Sequence, residues 1–229
     1  MRFDAPTLAN AWLSVAQASS SDKDLPTLNR TVAIEEYLHG VRLVATDRFV
    51  LLTAWVPNED TDTITEPGLD EAPERTVVAA DVDGRCKSLL GYVLSLANRD
   101  QDYIPGSLEI SVQFNARMPA GSGGDVQTLE GMAPVYTVFD VPDTERVWVP
   151  VVQADYPDFR SIVHGHIPES TDKIVLNPEL IERIAKVRKY SDGPASWQFG
   201  GADRVALIDF AESDPHVSGC VMPMRWESP

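Results

Sequence analysis

Residues that could hold a metal or move a proton are few and scattered in this chain. His164-Gly165-His166 could bind a metal ion with Asp155 or Asp158, but two imidazoles in a loop with no clear third ligand fall short of a zinc donor set. Asp81-Val82-Asp83-Gly84 lacks the remaining acidic ligands and the terminal Glu of a calcium loop, so a helix cap is its better account. Gly121, Gly123 and Gly124 precede no Lys-Ser or Lys-Thr, which rules out a phosphate loop. Cys86 and Cys220 lie outside any Cys-x-x-Cys spacing and read as buried thiols, and no nucleophile pairs with a base. No cofactor is expected. A different chemistry stands out in Val221-Met222-Pro223-Met224-Arg225, where two unbranched, polarisable Met side chains flank a proline. Surfaces that bind varied apolar partners overuse Met, so the string offers binding; taken alone, it also fits a last strand whose Met residues fill a core gap.

The elements that must position this tail follow from periodicity. Met1 to Asp4 reads as a strand, and the next helix tolerates Pro6 in its first turn and places Leu8, Trp12, Val15 and Ala16 on one face. Three β-branched and aromatic runs follow: Thr31 to Tyr37, Val41 to Thr46 and Phe49 to Val56, with His39-Gly40 as a tight turn. Asn58 to Glu74 is acidic, Pro-containing and free of cations, as a solvated connection would be. The order then repeats with a strand at Arg75 to Ala80, a helix ending near Asn98 and capped by Asp81 or Asp83, and strands at Leu108 to Asn115, Val135 to Val141 and Arg146 to Gln153. A flexible insertion is expected at 118 to 131. A third, shorter copy has a strand at Lys173 to Leu176, a helix capped by Asn177 with Pro178 first, and strands at Ser196 to Phe199, Arg204 to Phe210 and Val217 to Arg225. The class is α+β, built from repeated β-α-β-β-β units.

Composition bounds the function. The 229 residues carry 19 Lys and Arg against 35 Asp and Glu, a net charge of −16, which excludes a protein that coats nucleic acid by a broadly basic surface. It still permits a ring with an acidic outside and a modestly basic lining. No apolar run is long enough for a membrane span and the N-terminus lacks an apolar signal region, so a cytoplasmic protein with no membrane partner is expected.

Three strings at domain-scale spacing carry a family resemblance: Val41-Arg42-Leu43-Val44-Ala45-Thr46-Asp47-Arg48-Phe49-Val50-Leu51, Tyr156-Pro157-Asp158-Phe159-Arg160-Ser161-Ile162-Val163, and Gly219-Cys220-Val221-Met222-Pro223-Met224-Arg225-Trp226. Together they resemble the bacterial DNA sliding clamp, the β subunit of DNA polymerase III. The resemblance implies the clamp fold, with antiparallel sheets outside and helices on the inner face, and a processivity factor that does no chemistry. Residues 1–163 resemble a clamp domain of two units (1–72 and 73–163), and 164–229 a third unit, a half domain. Thr46-Asp47-Arg48-Phe49 looks most like actinobacterial clamps, and Arg outnumbers Lys as suits a GC-rich genome; with the short length this implies a phage-encoded version.

By position, Thr46, Arg48, Phe49, Val50 and Leu51 would form one wall of a peptide groove, and Val221, Met222, Pro223, Met224 and Arg225 the other. Short peptide motifs of the polymerase and the clamp loader would bind there. Val50 stands where the family usually has Arg, and His164 where a Pro is common. Arg85 and Lys87 on the second helix, with Arg183, Lys186 and Lys189 recurring on the third, would face duplex DNA weakly and without base specificity; a solvated helix face with Glu182–Lys186 pairing is the plainer reading. The resemblance implies a homo-oligomeric ring, but three units make an odd count. The alternative is a clamp-like module that does not encircle DNA and captures clamp-binding peptides as a decoy or adaptor.

Overall fold

The computed structural model describes the chain apart from residues 26, 62–64, 69, 82, 100–106, 118–134, 153–155, 165, 172, 192, 211–212 and 225–229 and the side chain of His164. The order strand, helix, three strands runs twice: β1 (Arg2–Asp4), α1 (Ala5–Val15), β2 (Thr31–Tyr37), β3 (Gly40–Thr46) and β4 (Val50–Pro57), then β5 (Arg75–Ala80), α2 (Arg85–Arg99), β6 (Glu109–Ala116), β7 (Tyr136–Asp140) and β8 (Val147–Val152). A short helix, α3 (Arg160–His164), leads to α4 (Pro178–Ala185), which tightens into a 3-10 turn at Lys186–Lys189, and to β9 (Ala195–Phe199), β10 (Ala206–Phe210) and β11 (Val217–Val221).

Each of these longer helices starts at a side chain that accepts from its exposed N–H groups. The Asp4 carboxylate accepts from Thr7 N at 3.0 Å, and Asn177 Oδ1 from Glu179 N at 2.9 Å. Asp81 takes the N–H groups of Cys86 and Lys87, both at 2.9 Å, while Asp83 accepts from Arg85 N at 3.2 Å. Both acids expected as caps therefore act together, and the Asp81–Asp83 pair is spent on the helix.

All eleven strands join one antiparallel sheet in the order β1-β6-β7-β8-β5-β2-β3-β4-β11-β10-β9. The first strand of each unit crosses into the other's sheet: β1 pairs with β6 (Phe3 opposite Ile110) and β5 with β2 (Val77 opposite Ile34). That exchange closes a common core beneath α1 and α2, with Phe3, Leu8, Trp12, Leu90, Ile110 and Phe139 all fully buried. Trp12 meets Phe139 edge to face, ring centroids 5.3 Å apart. α1 also packs on the Lys186–Lys189 turn, so the third unit shares the same core through Leu180, Ile184 and Val187.

Three expectations need correction. Lys173–Leu176 forms no strand. In the first two units the opening strand is held by the sheet of a paired unit, and no fourth unit is present among the described residues to hold this one. β11 ends at Val221, short of Arg225, which lies outside the described residues: Met222 N still donates to Phe49 O at 2.8 Å, but Pro223 has no N–H and Met224 N turns to Val175 O at 2.8 Å. The Tyr156–Val163 corner contains a helical turn, α3, that periodicity could not reveal in five residues. The expected insertion at 118–131 lies outside the described residues. Among the described residues no helix is long and apolar enough to cross a membrane.

Candidate functional site

The three strings converge at one place. β4 and β11 pair over five residues, from Val50 opposite Val221 to Ala54 opposite Val217, which brings the tail alongside the turn after β3. Gly219 makes the pairing possible: a Cβ there would stand 2.0 Å from the Leu51 carbonyl oxygen. The turn is built by its own polar groups. Thr46 Oγ1 accepts from Arg48 N (3.0 Å) and donates to Val50 O (2.8 Å), and Asp47 Oδ1 accepts from Phe49 N (2.9 Å) and Val50 N (2.8 Å). Arg48 takes a left-handed φ of 83°, and the turn thrusts Phe49 into solvent, 55% exposed.

The corner closes over this junction from the outer face. Phe159 is buried in a cluster with Val44, Leu51 and Cys220, so each of the three strings contributes to one small core, with Tyr156 packed on its edge. Tyr156 donates to Val44 O at 3.3 Å, and burial holds its phenol well above the usual range. Arg160 anchors the corner by a bidentate pair to buried Glu35 (2.7 and 2.6 Å) and by donating to Tyr37 Oη at 3.0 Å. Arg42 donates to the same oxygen at 3.0 Å, and that phenol donates to Glu35 at 3.1 Å. Burial and then the Glu35 charge push the Tyr37 phenol upward, keeping it a neutral donor. Sequence reasoning missed this network, since the strand runs holding Glu35, Tyr37 and Arg42 carry no signal that Arg160, more than a hundred residues on, folds over them.

Between corner and junction lies a cavity of about 330 Å³, lined by Leu51, Phe159, Val163, Leu207, Ile208 and Gly219 together with the polar Thr53, Ser196, Gln198, Asp209 and Ser218. Strand alternation puts Phe49 and Met222 on the same outer face as Leu51 and Cys220. Exposed Phe49, Ile162, Met222 (40%) and Met224 (49%) thus form an apolar surface around the junction. Cys220 is inert there, its thiol pushed up to about 11 by burial.

No protein-family model matches the sequence, and no curated protein matches it. Solved structures do. A DNA polymerase III β subunit from Thermotoga maritima superposes with a TM-score of 0.62 at 16% identity, over 99% of this chain and 65% of that one. A DNA polymerase sliding clamp from Pseudomonas aeruginosa with ligand gives 0.60 at 14%, over 99% and 66%. A sliding clamp of the same organism bound to griselimycin gives 0.59 at 13%, over 99% and 65%. The fold is the sliding-clamp fold. The chain spans about two thirds of the length of these clamps.

Within that clamp fold the expected site residues separate by facing. Leu51 lines the cavity, while Phe49, Met222 and Met224 are exposed beside it. Val50 and Val221 face the opposite, helix-covered core and Thr46 is buried in the turn, so these three position the walls without presenting side chains there. Arg48 and Pro223 are at the surface, and Arg225 is outside the described residues.

The cations expected on the clamp's helix side divide likewise. Arg183 is no free stripe residue: its guanidinium ion-pairs with Asp47 and donates to Gln17 O at 2.9 Å and Ser19 O at 3.1 Å. It neutralises the carbonyl-rich end of α1 and pins the third unit to the β3–β4 turn. Lys186 pairs with Glu182 at 3.0 Å, the i to i+4 contact expected of a solvated face, and Lys189 is exposed. Arg85 pairs with Asp83 at 3.0 Å at the start of α2, where Lys87 is also exposed. His166 is enclosed with neither ring nitrogen bonded, and among the described residues no cluster of metal-ligating side chains occurs.

Proposed function

We propose that this chain is a DNA sliding clamp: a non-enzymatic processivity factor that encircles duplex DNA as a homo-oligomeric ring. Short peptide motifs of the replicative polymerase and the clamp loader would occupy the β4–β11 junction. The observation that carries the reading is the meeting of the three strings around one mostly apolar cavity, in a fold shared with solved clamps. One apolar anchor of a peptide fits between Leu51, Phe159, Val163 and Leu207, and a second lies against Phe49, Met222 and Met224. Each anchor gains about 1.5–3 kcal/mol from burial. The Met residues suit several partners in turn.

DNA binding rests on few cations, Arg85, Lys87, Lys186 and Lys189, so retention would come from topology and direct affinity for open-ended DNA would be low and salt-sensitive. Two measurements test the proposal. Fluorescence anisotropy with a labelled clamp-binding peptide should show binding that falls at least tenfold in Phe49→Ala/Met222→Ala, with the melting temperature unchanged; unaltered affinity removes the site. Gel filtration should show the protein loaded on nicked circular DNA and lost on linearisation. A protein shed equally from both is no encircling clamp.

A further inference from the structure

We propose that the β4–β11 groove selects its peptides by a basic side chain within two residues of the apolar anchor, and that Asp209 is the residue that reads it. The inference rests on the peptide groove of the proposed function and adds to it the chemistry of the partner.

The outer face of the sheet is graded row by row at this junction. Cross-strand pairing puts Leu51, Cys220 and Leu207 in one row across β4, β11 and β10, in contact with the cluster that holds Phe159. The next row along the same strands is wholly polar: Thr53 lies opposite Ser218, Ser218 opposite Asp209, and Asp209 opposite Ser196 on β9. Leu51, Leu207 and all four polar residues line the one cavity. A strand rises about 3.4 Å per residue, so rows two residues apart stand roughly 7 Å apart, a span that two residues of an extended peptide also cover. An anchor seated on the apolar row therefore brings a nearby side chain over the polar one.

Most of the polar row is already engaged. Thr53 Oγ1 and Ser218 Oγ bond each other at 3.0 Å, and Ser196 Oγ donates to the Asp209 carbonyl at 3.3 Å. The Asp209 carboxylate keeps spare capacity. Its Oδ1 meets His216 Nε2 at 2.7 Å, whereas Oδ2 has no partner among the described residues. The same imidazole faces Glu66 at 3.3 Å with its other nitrogen, so two carboxylates share one ring. Asp209 is half-exposed, and it is the only charged group among the described residues that line the cavity. The nearest corner cation, Arg160, is held by Glu35.

A bound peptide turns Asp209 into a filter. An apolar side chain laid over it would strip water from a carboxylate and return no hydrogen bond, and an acidic one would add repulsion. Lys or Arg at that place donates to Oδ2 in a charge-assisted hydrogen bond. Selectivity then comes as much from what the wrong peptides lose as from what the right one gains.

Fluorescein-labelled short peptides with Leu and Phe anchors, carrying Arg or Asp at each neighbouring position in turn, test this by fluorescence anisotropy. At one position within two residues of an anchor, the Arg peptide should bind about tenfold more tightly than the Asp peptide, and the preference should fade as the charge is moved further along. Asp209→Asn, which keeps an acceptor for His216, should bring the two peptides within about twofold of each other. Asp203→Asn makes the same change in net charge at an exposed site outside the cavity and should retain the preference. The positional scan on the wild-type chain decides even where Asp209→Asn fails to fold. Binding with no preference at any position, or a preference that survives Asp209→Asn, overturns the role of Asp209 and leaves the groove standing. Peptides that fail to bind whatever their charge overturn both.

Discussion

Phe159 stands between two strand junctions that use the same elements to different ends. On one side, next to the β5–β8 pairs Val78–Val152 and Ala79–Val151, lies a cavity of about 600 Å³ lined partly by Glu35, Asp158 and Arg160. On the other, β4 and β11 pair over five, and the smaller cavity beneath the corner is walled by Leu51, Val163, Leu207 and Gly219. The side chains at each junction set the chemistry of the space. On one side of Phe159 the Glu35–Arg160 pair brings charge to the wall; on the other the outer face of the β4–β11 ladder is mostly apolar. The narrower, mostly apolar recess suits a peptide anchor; the wider, charged one suits water.

Cutting the charge network should cost most. Arg160→Ala strands the Glu35 carboxylate with only Arg42, 3.6 Å away, as countercharge. Removing one partner of a buried pair is expected to cost about 3 kcal/mol, read as a lower denaturation midpoint with unchanged slope. Gly219→Ala attacks the other junction. Its methyl cannot fit against the Leu51 carbonyl, so a loss of roughly 1–3 kcal/mol should appear with faster amide exchange in β11 than in β6. Placing a carboxylate in each cavity sharpens the contrast: Val163→Asp should weaken a bound clamp peptide about tenfold, some 1.4 kcal/mol, whereas Thr76→Asp in the wider cavity should leave it unchanged. Equal effects would mean that the junctions do not differ in function.

The smallest effect is a pH dependence at the end of the β4–β11 junction. His216 lies 3.3 Å from Glu66 and 2.7 Å from Asp209, and those hydrogen bonds, that to Glu66 first, raise its pKa to about 9. A raised cation pKa stabilises the fold fully below the ordinary value of 6.5 and ceases to do so as pH climbs through about 9. The melting temperature should fall across that interval, and His216→Gln should flatten the fall. An identical slope in the variant would show that the imidazolium holds nothing.

Much of the architecture could be read before any coordinates. The caps Asp81, Asp83 and Asn177, the apolar stripe of the first helix and the alternating runs each obey local rules, so ten of the eleven strands lie within a residue or two of their expected bounds and β11 starts where expected. The tail's place beside the β3–β4 turn was also legible, because the three strings occur together in one order. What periodicity could not convey was facing at a junction between units. Val50 and Leu51 are neighbours of similar type, yet one enters the helix-side core and the other the outer cavity. Nor could it show that Arg183 is taken by Asp47 and the end of α1, for a helical stripe of cations has the same spacing whether it faces solvent or a neighbour.

The amino-acid sequence alone determined the units, since capping, helical stripes and strand alternation depend on residues a few positions apart. Tertiary structure decided which strand lies beside which, and hence which side chains are walls and which are fillers. Lys173–Leu176 marks the boundary between the two: its residues suit a strand, but a strand exists only where another edge receives its hydrogen bonds.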